Sequence, residues 1–376
     1  MQGSSRKLLV LVIAAVLVAA VVWTVRRTGE RHKPLSSPPQ TTLASNTSPA
    51  PAAQTGASLE DKLRQFSHAT QDTPPAARMA ELRAALAAVP KDQAVAQIRR
   101  FLDSKEDAST GQGFKISGSG FLDEAPTLRA FLLDYLGRTD PAAAAEYARV
   151  ILASPDSADE WALALRNLAR GDESPAGRAL LDQKTSELLR NQAWQQSASV
   201  GYLEAFDAAV FLGTTNLVPP LADLVRNKEN PATGHAAYLA MDRMVINNPT
   251  TMLNALEANP DLMQGREQTR ANYFARADVR DPQQKQVIEN YLLDPRINVA
   301  ELQQFAGLYP SANYMISHNL LTPTPTPDHA ALTSRDAESL RVVNEWLADD
   351  RFEKVRPQLQ KMKSRLEEFT RQANGK

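Results

Sequence analysis

Residues 110–126 read TGQGFKISGSGFLDEAP, with four glycines among the first eleven. A glycine-rich loop ahead of a helix can hold phosphate, because backbone amides close round the anion while a lysine and a hydroxyl meet phosphate and metal. The spacing here does not supply that chemistry. Gly113 and Gly118 match the outer glycines of a phosphate loop, but Ser119-Gly120 stands where Lys-Ser/Thr is required. Gly118-Ser-Gly120 runs into Phe-Leu-Asp, and no strand–helix–strand pattern precedes it, so a dinucleotide fingerprint fails too. Ser117 occupies the first glycine position of a G-x-S-x-G nucleophile elbow around Ser119. The alternation Phe114-Lys115-Ile116, the flexible 117–120 turn and the apolar Phe121-Leu122 predict a β-hairpin over 113–122 instead. Phe114, Ile116 and Phe121 should pin it to helices, with Lys115 and the Gly-rich turn facing solvent.

The remaining reactive side chains converge on nothing. The chain has no cysteine, which removes thiolate zinc sites, disulfides and Cys nucleophiles together. Its five histidines are scattered: His32 beside an apolar run, His68 and His235 alone on helices, His318 and His329 in a Pro-rich stretch. None has a ligand-spaced partner, and a lone helical His such as His235 is expected to be half-buried and satisfied. Asp159, Glu160, Arg166 and Arg170 are expected to pair on helix surfaces. The formal net charge of −1 gives no electrostatic case for nucleic acid. No catalytic, cofactor-binding or metal-binding residue is assigned, and neither nucleotide nor nucleic acid is expected as a partner.

The elements that would carry a site are helical from residue 58 onward. Leu128, Phe131, Leu132, Tyr135 and Leu136 follow the spacing of one apolar helix face. Trp161, Leu165 and Leu168 repeat it, as do Tyr202, Phe206 and Val210, then Val287, Ile288, Tyr291 and Leu292, then Leu302, Phe305 and Leu308. Helix starts are marked by a capping side chain before proline at Asp140, Ser154, Ser174, Asn230, Asn248, Asn259 and Asp281. Ser157 and Glu160 form a capping box, and Gly137 and Gly171 are placed where left-handed stops are expected. Residues 310–332 lose the helix period, and their Thr/Pro alternation predicts extended chain. Two helices follow, near 335–347 and 352–371, the second with a stripe of Leu359, Met362, Leu366 and Phe369.

Ahead of the helices, residues 8–25 are uncharged and apolar, and as a helix they would span about 27 Å. Trp23 and the Arg26-Arg27 pair close the run as interface residues do. A single-span anchor is expected; the competing signal peptide would use Val18-Ala19-Ala20, but the apolar run continues past it. The positive charges after the run favour a cytoplasmic domain. The uncharged Ser/Thr/Pro/Ala linker over 34–57 resembles the spacers of bacterial envelope proteins and favours the periplasmic side, which is the expectation adopted.

Helix rhythm and capping over 82–309 resemble the HEAT-like and TPR-like α-solenoids, although no signature recurs at a fixed period. An irregular helical domain without repeat ancestry is the alternative. The expected fold is all-α: an irregular solenoid-like array of antiparallel helices with one small β-hairpin insertion, preceded by a single transmembrane helix. Its parts are a tail (1–7), a span (8–25), a linker (26–57), the helical domain (58–309), an extended segment (310–332) and a C-terminal helical cap (333–376). The resemblance implies a membrane-anchored scaffold that binds a protein or peptide partner in the cell envelope. An envelope hydrolase with its site in the helical groove, or a passive spacer, are the alternatives.

Overall fold

A computed structural model describes residues 59–68, 74–312, 319–323, 326 and 328–373. The expected span at 8–25 and the linker at 26–57 lie outside them. No helix among the described residues is long and apolar enough to cross a membrane.

The described chain is mostly helical. It opens with α1 (Leu59–His68), α2 (Pro75–Ala87) and α3 (Lys91–Asp103), followed by β1 (Lys115–Ile116) and β2 (Leu122–Glu124). Then come α4 (Leu128–Thr139), α5 (Pro141–Ile151), α6 (Ala158–Gly171), α7 (Pro175–Arg190), and the short α8 (Gln192–Gln196), α9 (Val200–Glu204) and α10 (Asp207–Leu212). The series continues with α11 (Val218–Arg226), α12 (Pro231–Asn247), α13 (Pro249–Ala258), α14 (Glu267–Phe274), α15 (Pro282–Leu293) and α16 (Val299–Leu308). Beyond the Pro-rich stretch lie α17 (His329–Ala348) and α18 (Arg356–Ala373).

Side-chain caps place many of these starts. Thr127, Asp140, Ser157, Ser174 and Asp281 each accept a bond from a first-turn amide, and proline fills the first turn of α5, α7 and α15. Two expected boundaries differ, and two expected caps are made without their side-chain bond. Ser154-Pro155 precedes α6 without starting it, because Ser157 caps that helix. Asn259-Pro260 opens only a 3-10 turn, and Asn230 and Asn248 start helices without a side-chain cap bond. Gly137 and Gly171 are not left-handed stops: both are helical. A Cβ on Gly137 would overlap the Asn167 carboxamide, and one on Gly171 would overlap the Pro141 carbonyl. These glycines let helices approach closely, which is why Gly is there.

Alternate helices touch. One row runs α4, α6, α9 with α10, α12, α14, α16 and α18, each meeting the next. A second row contains α7 against α11 and α13 against α15, and the rows meet through α6–α7, α11–α12, α12–α13 and α13–α14. Helix α6 lies among α4, α5, α7 and α9, so every residue from Trp161 to Ala169 is buried. That burial overturns the expected surface pairing of Asp159 and Glu160 with Arg166 and Arg170. Asp159 instead accepts from Ser199 Oγ and the Gly201 amide, and Glu160 binds Arg129.

Buried ion pairs recur along the first row at nearly constant sequence separation. Arg129 pairs with Glu160, Arg166 with Asp134, Arg243 with Asp207, Arg276 with Asp242 and Arg270 with Glu301, at separations of 31, 32, 36, 34 and 31 residues. One helix plus its partner and turns occupies that length, so each pair bolts a row helix to its successor or, at Arg276, to the turn that ends it. The carboxylates can bond both guanidinium edges: Arg270 Nε and Nη2 lie 2.7 and 3.0 Å from the two Glu301 oxygens, and Tyr291 adds a hydroxyl at 2.9 Å.

At the C-terminal end, α18 packs on α16 and on α17. Leu359, Met362 and Leu366 are buried, while Arg365 covers the Phe369 ring at 4.8 Å and donates to the Tyr309 carbonyl at 2.6 Å.

Glu301→Ala leaves Arg270 charged and buried, and should cost about 3–5 kcal/mol in denaturant unfolding. The double variant Arg270→Met/Glu301→Leu should recover most of that loss, because it removes both charges and keeps the volume. Equal loss in single and double variants would show that the pair is not what couples α14 to α16.

Candidate functional site

The hairpin forms where the alternation placed it. Lys115 pairs with Glu124 and Ile116 with Leu122, antiparallel. Phe114 is buried and Ile116 partly so, whereas Lys115 is exposed with its ammonium 3.4 Å from the Glu124 carboxylate. The turn departs from expectation. Gly118 and Ser119 face solvent, but Gly120 is buried at φ 77°, and a side chain there would strike Arg170 and the carbonyls of Asn319 and Leu320. The Gly-rich turn therefore ends against the body of the protein.

What it meets is positive. The Phe121 ring is covered by the guanidinium carbons of Arg138, Arg166 and Arg170 at 4.7, 4.7 and 4.4 Å. Three cations on one ring need compensation, and Asp134 supplies much of it. Its carboxylate accepts from Arg166 at 2.5 Å, Arg138 at 2.8 Å and the Leu122 amide at 2.9 Å. Hairpin carbonyls take further donors: Arg166 bonds Gly120 O, Arg138 bonds Leu122 O and Arg170 bonds Ser119 O at 3.2, 2.6 and 2.8 Å. Burial pushes Arg166 down to about 10, with Asp134 opposing the shift, so it stays a cation at neutral pH. Burial also lowers Arg170, again opposed by Asp134.

The same arginine reaches a distant part of the chain. Arg170 Nη2 lies 3.3 Å from the Leu320 carbonyl, 150 residues on. Asp207, the first residue of α10, accepts two consecutive amides, Leu321 at 2.6 Å and Thr322 at 2.7 Å, through one oxygen. Its other oxygen accepts the Thr322 hydroxyl and Arg243 Nη1, the latter at 3.2 Å. Arg243 from α12 also donates to the Pro323 carbonyl at 2.9 Å and to the Thr322 hydroxyl oxygen. Leu320 is fully buried. Residues 319–323 thus lie across α6, α10 and α12, held by main-chain bonds from three helices. They bend at Leu320, Leu321 and Thr322 and do not form the expected extended run there; most of the Thr/Pro alternation lies outside the described residues. Burial raises Asp207, and the hydrogen bonds from Thr322 and Leu321 and the Arg243 charge oppose it; burial lowers Arg243.

Chemically the cluster is a set of donors and acceptors that satisfy one another. Both oxygens of Asp134 and both of Asp207 accept from amide, hydroxyl or guanidinium donors, and Asp207 takes two at each oxygen. Among the described residues, no group of three His, Asp or Glu is placed to hold a metal ion. The histidines disperse: His235 is exposed and stacks on Tyr238 at 6.3 Å, contrary to the expected half-buried position, and His329 begins α17. His32 and His318 lie outside the described residues. Beside His235 opens a groove of about 370 Å³ lined by Asn227, Lys228, Tyr238, Arg266 and Asn272. Sequence reading missed Asp134, Asp207 and Arg243; the signal available was a charge flanked by apolar residues on both sides within a helix, as in AFDAAVF and LAMDRMV.

Phe121→Ala should lower stability by about 2–4 kcal/mol, combining lost ring burial with lost cation–π contacts. Phe121→Leu, which keeps bulk but not the π face, should lose about 1–2 kcal/mol. Lys115→Ala should stay within about 0.5 kcal/mol because its ion pair is exposed. Thermal melts rank the three, and a Leu variant as stable as the parent would remove the arginine–ring contacts from the account. Comparison with protein-family models, curated proteins and solved structures finds no match for this chain.

Proposed function

We propose that the protein is a membrane-anchored helical scaffold that binds a protein or peptide partner in the cell envelope. In this reading the two helix rows form a solenoid-like array, residues 8–25 anchor it, and the uncharged linker holds it off the membrane on the periplasmic side. One observation carries the reading: three helices hold a non-helical stretch of chain, 319–323, chiefly by its main chain through Arg170, Asp207 and Arg243. That is how a helical surface recognises a peptide, since main-chain groups are offered by any sequence and anchors such as Leu320 add selectivity. The open groove with the exposed His235 ring stacked on Tyr238 supports the same reading, because aromatic rings supply contact area at little cost in entropy. The hydrolase alternative has less support, since the buried carboxylates at the site are committed to donors.

Photo-cross-linking in cells tests it. A benzophenone amino acid at His235 or Arg266 should give a discrete adduct with one partner, and the same probe at Val150, exposed on α5, should give none. A reporter active only outside the cytoplasm, fused after Gly56, should be active. Absence of adducts at the groove would leave the passive-spacer reading, and a silent reporter would reverse the topology.

A further inference from the structure

We propose that residues 319–323 are a tethered occupant of a peptide clamp formed by Arg170, Asp207 and Arg243, and that the clamp exchanges them for a partner segment of like chemistry. This rests on the scaffold reading and names its partner class: a bent, non-helical stretch with an apolar anchor, two successive free amides, a hydroxyl and a proline, of the Leu-Leu-Thr-Pro kind.

The clamp has the composition of a binding site more than of a packing contact. It reads the main chain at four consecutive residues: Leu320 O, Leu321 N, Thr322 N and Pro323 O. Leu320 is engaged by burial, Leu321 packs partly buried against the core, and Thr322 is held through the Asp207 and Arg243 bonds to its hydroxyl. Two adjacent amides turned onto one carboxylate form a small anion-embracing concavity, which any chain with that bend can present. Pro323 is exposed and Leu321 only partly covered, so solvent reaches the outer edge of the segment.

The electrostatics favour exchange over simple opening. With the segment in place Asp207 and Arg243 are 2% and 3% exposed, and its departure would strip the carboxylate of three donors at once. A competitor that restores those donors as it arrives avoids that penalty. The resident segment belongs to the same chain, so it competes at an effective concentration on the order of millimolar. Free peptide must therefore bind the parent weakly, and a chain whose own segment is weakened must bind it better by the inverse of the open fraction.

The test uses the detergent-solubilised full chain and a fluorescein-labelled heptapeptide, Asn-Leu-Leu-Thr-Pro-Thr-Pro, copied from 319–325. Leu320→Asp removes the resident anchor, and fluorescence anisotropy should then show peptide affinity raised about tenfold or more over the parent. Adding Arg243→Ala to Leu320→Asp should abolish that gain. Should Leu320→Asp fail to fold, hydrogen exchange on the unaltered parent decides: excess peptide should deprotect the Leu321 and Thr322 amides while α10 and α12 stay protected. Unchanged protection at those two amides, or no affinity gain in a folded Leu320→Asp chain, makes the segment a permanent strut and overturns the proposal. Concentration-dependent dimerisation that Leu320→Asp abolishes would assign the occupant to a second copy and also overturn it. A discrete cross-link at His235 with a negative peptide result would sink this inference alone and leave the scaffold reading standing.

Discussion

An arginine with no contact to water dictates much of this structure. Arg166 is fully buried, and a guanidinium cannot shed its charge, so every donor it carries must find an acceptor fixed in place by other elements. Asp134 of α4, Asn167 beside it and the Gly120 carbonyl of the hairpin turn are those acceptors. One side chain therefore sets the register of α6 on α4 and the position of the hairpin over both. Apolar packing alone would hold these helices together but would tolerate sliding by a residue. A buried ion pair does not, since a slip leaves charge unpaired at a cost of about 3–5 kcal/mol.

The same constraint repeats down the row and explains why distant chain segments return to it. Each pair joins residues 31 to 36 apart, so the array assembles from local contacts. The 319–323 segment breaks that locality, reaching back 114 residues to Asp207 and 150 to Arg170. Long closure is not a strong objection, because the entropic cost grows only as the logarithm of loop length, about 0.6 kcal/mol per doubling. Two amides and a hydroxyl donated to a buried carboxylate outweigh an increment of that size.

Much of the helix framework was legible in the sequence. Serine, aspartate and proline at starts such as Ser157, Asp140 and Ser174-Pro175 act within one turn, so their meaning is local and survives without a structure. The hairpin was legible for the same reason. Gly137 and Gly171 were misread because a glycine that ends a helix and one that admits a neighbouring helix look alike until the neighbour is known. Glu160 and Arg166 were misread because helical spacing places a charge on a face without saying what covers it, and α6 has no wet face over 161–169. The clamp was out of reach for a deeper reason: its three residues lie on three helices and its occupant more than 75 residues beyond the last of them.

Burial of charge also bears on what kind of function such a surface can carry. A general acid or base must hold its proton loosely, with a lone pair directed at the reactant and a value near the working pH. At Asp134 and Asp207 each oxygen is engaged, and each partner is a permanent cation, an amide or a hydroxyl. Recognition asks for the reverse: donors and acceptors immobilised before the ligand arrives, so that little entropy is lost on binding. Arg170 is held against Phe121 and the Ser119 carbonyl, and it still reaches the Leu320 carbonyl from that position. The hairpin thus fixes the arginine that grips the segment, and Gly120, at φ 77° against Arg170 and the 319–320 carbonyls, lets the turn close tightly enough to do so. The feature that looks most like a nucleotide loop in the sequence serves, in three dimensions, as the support of a main-chain clamp.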